Sequence, residues 1–428
     1  MPQSFGYYQL STSTAQGGTI PLAAQFQPGV PLDPVAATNA YLATLPADKR
    51  AASDAYFEGG YWIGLWDSLI TIAIMVLLLR TGISRGMRNL SERRARWRPV
   101  QTFLYYAQFV VLTTLLAFPF TVYTGFIREH QYDLSTQNLG QWLGDQAKGL
   151  LVAVILGGLA VTALYGVVRR FPRTWTVWGA VVGVILATIG ALIAPVFIVP
   201  LFNTVTPLTD ERLREPILSL ARANGIEAND VFVVDASKQS KRISANVSGV
   251  FGTMRITLND NLLNRSTPES VRAVVGHEMG HYVLNHVYKF LMFLSIFIVV
   301  MFSFLQWAFG RAVGRWGERW GVRDIGDPAG LPVVVGILVV FTLVTGPLLT
   351  SFTRATEAEA DMFGLNAARE PDGFAQAALL LSEYRKLDPG PIEEFIFFDH
   401  PSGRTRIYAS MRWKAEHRAD YTSSQILR

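Results

Sequence analysis

Six stretches of the chain are apolar for long enough to cross a lipid bilayer, and they limit the fold more than any other feature. They run from Trp62 to Leu79, Thr102 to Tyr123, Leu150 to Val168, Trp175 to Leu201, Phe290 to Phe309 and Leu331 to Ser351. A helix needs roughly 17–25 apolar residues to cross the hydrocarbon core, and each stretch supplies about that many. Asp67 in the first stretch and Gln108 in the second are costly in lipid, so both are expected to face a cavity or a neighbouring helix. The composition fits a membrane protein, with 50% hydrophobic and 17% charged residues and a mean hydropathy of +0.26. Arginine-rich flanks argue against six buried core helices of a soluble domain. The predicted class is mostly α, a multi-pass membrane protein.

A polar segment, 203–289, separates the fourth and fifth stretches. Val231-Phe232-Val233-Val234 reads as a short strand, and Arg255-Ile256-Thr257-Leu258 alternates polar and apolar residues as a second. Ser266-Thr267-Pro268-Glu269 then supplies a capping hydroxyl, a first-turn proline and an acidic residue, as a helix start requires. The run from Val271 to Tyr288 has no proline, and its isolated Gly276 and Gly280 are tolerable in a helix.

Within that run stands His277-Glu278-Met279-Gly280-His281, one copy of H-E-x-x-H. Residues four apart share a helix face, so both imidazoles can reach one metal ion. Glu278 points to the side, where it can take a proton from an attacking water. The chain has no cysteine, so any zinc must be held by histidine and carboxylate. A third ligand is available in Thr353-Arg354-Ala355-Thr356-Glu357-Ala358-Glu359-Ala360-Asp361, which is helical in composition. Glu357 and Asp361 are four apart. That spacing lets Glu357 bind the metal while Asp361 accepts the free ring N–H of a ligating histidine. The plainer alternative is a solvated acidic face, to which Glu359 could belong.

With these residues the chain resembles the integral-membrane zinc proteases typified by the type I CAAX prenyl proteases. The family pairs H-E-x-x-H with a downstream E-x-x-x-D, here Glu357 to Asp361, and a later H-P-x-x-x-x-R-[IL], here His400 to Ile407. Val231 to Ser237, Ser240-Lys241-Arg242, Ile193-Ala194-Pro195, Thr206-Pro207-Leu208 and the 125–148 connection also resemble family segments. The resemblance spans about residues 57–410. Two departures stand out. Ser244 occupies a position where the family has asparagine, and the family's first membrane helix has no counterpart.

The resemblance implies a membrane helical barrel around a chamber, closed by a zincin-like metalloprotease domain with a small β-sheet. It implies one zinc per chain, a peptide or protein substrate of the prenylated C-a-a-X type, and an edge strand near Ala245 and Asn246 that pairs with substrate. It gives Glu278 the part of general base, and it has His400 and Arg406 stabilise the oxyanion or hold the site together. Arg406 could instead pair with a carboxylate near the metal. On this reading residues 1–56 are a polar tail, 57–202 membrane helices one to four, 203–289 the zinc-protease segment, 290–352 helices five and six, and 353–428 the C-terminal segment. His286 lies about 140° round a continuous helix from His281, a poor position for the same metal, and is expected at an interface. His417, in a charged tail, is expected to be solvated.

The net charge of +5 suits an anionic membrane surface, and no aromatic-basic pattern suggests nucleic acid as a partner. Fourteen arginines lie on one side of the membrane: 80, 85, 88, 93, 94, 96 and 98; 169, 170 and 173; and 311, 315, 319 and 323. The short 125–148 loop opposite has only Arg128 and Lys148. The positive-inside bias puts the arginine loops in the cytoplasm and the metal domain outside, whereas the resemblance puts the metal domain in the cytosol. Three functions stay open at this point: a prenyl-peptide or general membrane endopeptidase, an exoplasmic quality-control protease of the same clan, and a non-catalytic membrane scaffold or lipid-binding chamber. The intact His277, Glu278, His281 and Glu357 argue against the scaffold.

Overall fold

A computed structural model describes residues 19–27, 30–248 and 254–418. Each predicted stretch lies inside one long helix: Ala47–Arg80, Arg98–Gln131, Leu139–Arg170, Trp175–Phe202, His286–Trp320 and Pro328–Ala368. Helices are what lipid permits here, because a backbone N–H or C=O finds no water in hydrocarbon. Leu115, Phe197 and Val344 are 62%, 65% and 73% exposed, apolar surface that suits acyl chains and not water. Gln108 meets its expected neighbour: its amide donates to Ser91 Oγ at 2.9 Å. Asp67 is exposed.

These helices are longer than the bilayer is thick. At 1.5 Å per residue the 35-residue fifth helix extends about 50 Å, against about 30 Å of hydrocarbon. The surplus of the sixth helix carries Glu357 and Asp361 beyond its apolar stretch. The alternating directions gather the connections 81–97, 171–174 and 321–327 at one end. Ser84 Oγ donates to the Ala329 carbonyl at 2.7 Å there, and Arg88 pairs with Asp327 at 2.6 Å. The segment 203–285 and the C-terminal helices lie at the other end, opposite the arginine-rich connections.

The polar segment holds a four-stranded sheet of β1 (Val205–Pro207), β2 (Val231–Val234), β3 (Ala245–Ser248) and β4 (Arg255–Asn259), in the order β1-β2-β4-β3. β2 and β4 are parallel; β1 and β3 pair antiparallel at the two edges. β2 and β4 are the two strands expected from sequence, and only β4 shows alternation. β1 has three residues ending in proline, and β3 was reachable only through the family resemblance. Ile256 and Leu258 of β4 pack with Ile217, Val271, Val275 and Met279 into the core beneath the sheet.

The H-E-x-x-H helix spans Pro268–Val283, and the Thr267 hydroxyl caps it by accepting from Ser270 N at 3.2 Å. It does not run on to Tyr288. Asn285 takes a left-handed conformation, with φ of 57°, and the fifth membrane helix starts afresh at His286. The first membrane helix begins at Ala47, inside the segment read as a polar tail. Before it, a helix at Pro34–Ala43 packs Ala37 and Tyr41 against Ala375, Ile407 and Met411. The Tyr41 hydroxyl donates to Asp372, which also pairs with the buried Lys414 at 2.6 Å. This strap braces the C-terminal helices. Residues 1–18 lie outside the described residues.

The H-E-x-x-H helix crosses the sixth membrane helix at three glycines. A Cβ on Gly364 would lie 2.8 Å from His277 N, one on Gly280 3.1 Å from the Ala360 Cα, and one on Gly276 3.2 Å from the Gly364 carbonyl. The glycines that the sequence shows as tolerable are what lets the two backbones approach. Gly364→Ala gains helix propensity but must separate the helices, and overpacking of this kind costs about 1–3 kcal/mol. The expected outcome is a lower Tm together with reduced metal content of the purified protein. No change in either measurement would contradict the crossing.

Candidate metal centre and active site

The crossing brings His277 and His281 against Glu357. His277 Nε2 is 3.2 Å from Glu357 Oε2, His281 Nε2 is 3.4 Å from Oε1, and the two imidazole nitrogens are 3.2 Å apart. The three ligand atoms fall within 4.8 Å of one another. Glu357 Oε2 is buried and makes no hydrogen bond among the described residues, although His277 Nε2 and His400 Nε2 each lie 3.2 Å away. A buried carboxylate oxygen that makes no hydrogen bond and faces ring nitrogens fits a cation.

The outer nitrogen of each histidine is engaged. His277 Nδ1 lies 2.8 Å from Asp361 Oδ1, and Arg406 holds that carboxylate from both sides, with Nη2 at 2.5 Å and Nε at 2.9 Å. Burial works against charge on His277, yet the Asp361 and Glu357 carboxylates outweigh it and raise its pKa to about 9. The same field that holds a proton there would hold a metal ion in its place. Arg406 therefore meets a carboxylate near the metal site, one of the two parts left open from sequence.

His281 is held differently. Its Nδ1 lies 2.9 Å from His286 Nδ1, His286 Nε2 lies 3.0 Å from Glu359, and Lys289 pairs with the same carboxylate at 2.5 Å. His286 stays outside the ligand group, as expected, but the expected spacing round one continuous helix does not hold. The left-handed turn at Asn285 folds His286 back beside His281. Glu359 is not a member of the ligand group. Among the described residues it is the anchor of this relay.

A cleft of about 190 Å³ opens over the site, lined in part by Ser244, Ala245, Glu278, Tyr384, His400 and Arg406. Burial pushes the Glu278 carboxyl above its ordinary range, against the pull of the two histidines. That is the direction useful to a general base near neutral pH. His400 Nε2 lies 3.2 Å from Glu357, and its Nδ1 lies 2.7 Å from Asp399. Asn246 sits on the same edge strand as Ala245 but is exposed and outside the cleft lining. His417 is half-buried and stacks on Trp413 with ring centres 4.3 Å apart; it is not simply solvated.

The comparisons with known proteins agree with this geometry. The model of peptidase family M48 matches residues 207–414, and the model described as CAAX prenyl protease N-terminal, five membrane helices, matches residues 38–204. The CAAX prenyl protease 1 homolog of Arabidopsis thaliana is 30% identical over 313 residues, 71% of each chain. The chain belongs to peptidase family M48. The peptidase is also 27% identical to CAAX prenyl protease 1 of Saccharomyces cerevisiae, over 70% of this chain and 69% of that one. It is 26% identical to the uncharacterized metalloprotease YhfN of Bacillus subtilis, over 78% and 79%. The crystal structure of S. mikatae Ste24p shares the fold, with a TM-score of 0.75 at 22% identity, covering 86% of this chain and 89% of that one. The chain is thus a multi-pass membrane metalloendopeptidase acting on peptide or protein substrates, built as a helical membrane barrel with a protease domain. Its residues 38–204 hold four spanning helices where the matched description gives five.

Glu359 is half exposed, so its loss should cost little stability. Partners that orient a ligating histidine are typically worth about 10–100-fold in metal affinity. Glu359→Ala is therefore expected to release metal to a chelator at about tenfold lower chelator concentration, with Tm nearly unchanged. Wild-type retention would reduce the Glu359–Lys289 contact to a surface ion pair.

Proposed function

We propose that this peptidase is a zinc enzyme that cleaves C-terminal peptides of the prenylated C-a-a-X type at the membrane. His277, His281 and Glu357 hold one zinc, Glu278 is the general base, and His400 bears charge that develops on the substrate. The observation that carries this reading is the convergence of two imidazoles and a buried carboxylate beneath a cleft that also holds Glu278. Nitrogen and oxygen donors in a three-to-one-open arrangement suit zinc in a hydrolytic site. The prenyl-protein class rests on the names of the relatives.

The zinc, when bound, supplies Lewis acidity toward water and the scissile carbonyl. The rest falls to the side chains. Asp361 accepts the Nδ1 proton of His277, which leaves Nε2 as the donor atom. Arg406 fixes Asp361 and acts through it as a positioning residue. Glu278 takes the proton of the attacking water and returns it to the leaving amine. Asp399 accepts from His400 Nδ1 and so orients the ring, and the doubly protonated imidazole donates from Nε2 to the oxyanion. β3 is an edge strand, and Ala245 and Asn246 present its backbone to an extended substrate, which would bind as an added strand. Val274, Phe374 and Leu381 give the cleft apolar walls for the substrate's apolar side chains.

The test uses purified protein in detergent or liposomes and a farnesylated C-a-a-X peptide beside its unmodified form. Wild-type protein should prefer the farnesylated peptide. Glu278→Gln should retain its metal while losing about 10²–10⁴-fold in turnover, the usual loss for a general base. Full turnover by that variant would remove Glu278 from the mechanism. Equal cleavage of both peptides would remove the prenyl class and leave the endopeptidase.

A further inference from the structure

The second large polar cavity lies at the other end of the membrane helices, far from the metal centre. The fifth helix separates the two: it begins at His286, beside the site, and ends at Trp320, next to this cavity. The cavity is about 280 Å³ and is lined by Arg88, Arg98, Arg169 and Arg323, with Ser91 and Gln101 among the neutral groups. These come from four separate elements: the helix Ile83–Arg94, the starts and ends of the second and third membrane helices, and the turn after the fifth.

The charges do not cancel. Asp327 takes Arg88 at 2.6 Å, and Glu92 takes Arg323 at 2.8 Å. Asp324, the remaining carboxylate of the lining, accepts from Gly326 N at 2.7 Å. Arg169 donates only to neutral oxygens, the Gly326 carbonyl and Thr102 Oγ1, both at 2.9 Å. Arg98 has no carboxylate partner among the described residues. Four guanidinium groups thus face one cavity with three carboxylates, Arg98 and Arg169 make no ion pair among the described residues, and a guanidinium fork suits a phosphate's oxygens.

The surroundings favour a lipid over a free anion. Trp97, Val100 and Phe171, within two residues of Arg98 or Arg169, are 76%, 41% and 37% exposed. They stand at the ends of spanning helices, the level of headgroups and first acyl carbons, where exposed tryptophan is common. Acyl chains would cover these side chains, and inorganic phosphate would leave them bare.

We propose that this cavity binds the phosphate of an anionic phospholipid from the leaflet opposite the metal centre, with Arg98 and Arg169 as its principal donors. The site tethers the connections 81–97 and 321–327 to that leaflet. Basic pockets between spanning helices are suited to such headgroups, and a cation near the surface contributes about fivefold to anionic-lipid binding.

The test is native mass spectrometry of the full-length protein, delipidated in neutral detergent and titrated with phosphatidylglycerol or phosphatidylcholine. Wild-type protein should retain phosphatidylglycerol selectively, and millimolar inorganic phosphate should not displace it. Arg98→Gln and Arg169→Gln should each weaken retention about fivefold. Arg98→Gln removes no side-chain hydrogen bond or ion pair among the described residues, so it keeps the test valid if Arg169→Gln misfolds. Arg212→Gln, which changes an exposed arginine in the metal-bearing domain, should retain lipid as the wild type does. Equal retention of both lipids, or retention of phosphatidylglycerol unaffected by Arg98→Gln, would overturn the site. Displacement by inorganic phosphate would overturn the lipid as its occupant.

Discussion

The buried carboxylate of Asp361 joins three separate elements, and the catalytic geometry depends on it. It lies on the sixth membrane helix, touches His277 on the H-E-x-x-H helix, and takes Arg406 from the helix Gly403–Glu416. All three side chains are at least nine-tenths buried. A buried ion pair is a poor source of net stability, because desolvation offsets much of its attraction. Its value here is positional. Losing either charge would strand the other in low dielectric, at about 3–5 kcal/mol, so the arrangement has one satisfactory register. In that register Glu357, one turn earlier on the sixth helix, falls opposite His277 and His281.

The membrane and the active site are parts of one construction. The fifth and sixth spanning helices are too long for the bilayer, and their surplus turns supply the site: His286 and Lys289 at the start of one, Glu357, Glu359 and Asp361 near the end of the other. The glycine crossing then fixes how close the two helices that carry the candidate metal ligands come. A shift of the sixth helix in the membrane would therefore move a proposed ligand, Glu357, directly. The N-terminal strap works from the opposite side, where Tyr41 and Lys414 share Asp372 and hold the helix that carries Arg406.

What the sequence revealed follows from the range of the forces involved. H-E-x-x-H and Glu357/Asp361 are helical repeats of four, and the apolar spans are local in composition, so both are legible without tertiary contacts. The contact of His286 with His281 is hidden in the sequence because one residue, Asn285, takes a left-handed conformation that periodicity cannot anticipate. Asp399 beside His400 lies in a loop, and Arg406 finds Asp361 across 45 residues of chain. Neither pairing has a local signature. β3 lacks a strong alternation because an edge strand buries little, and the helix Pro34–Ala43 offers only a small apolar face.

The proposed centre is two imidazoles and one carboxylate that would meet at one zinc. Zinc K-edge X-ray absorption of the purified, membrane-extracted protein reads that ligand set directly. The account predicts one zinc per chain and a nitrogen/oxygen shell at about 2.0–2.1 Å whose multiple-scattering pattern fits two imidazoles, reverting to weaker and altered binding in Glu357→Ala. A three-imidazole pattern, which would bring His400 or His286 onto the metal, or an unchanged spectrum in Glu357→Ala, would contradict it.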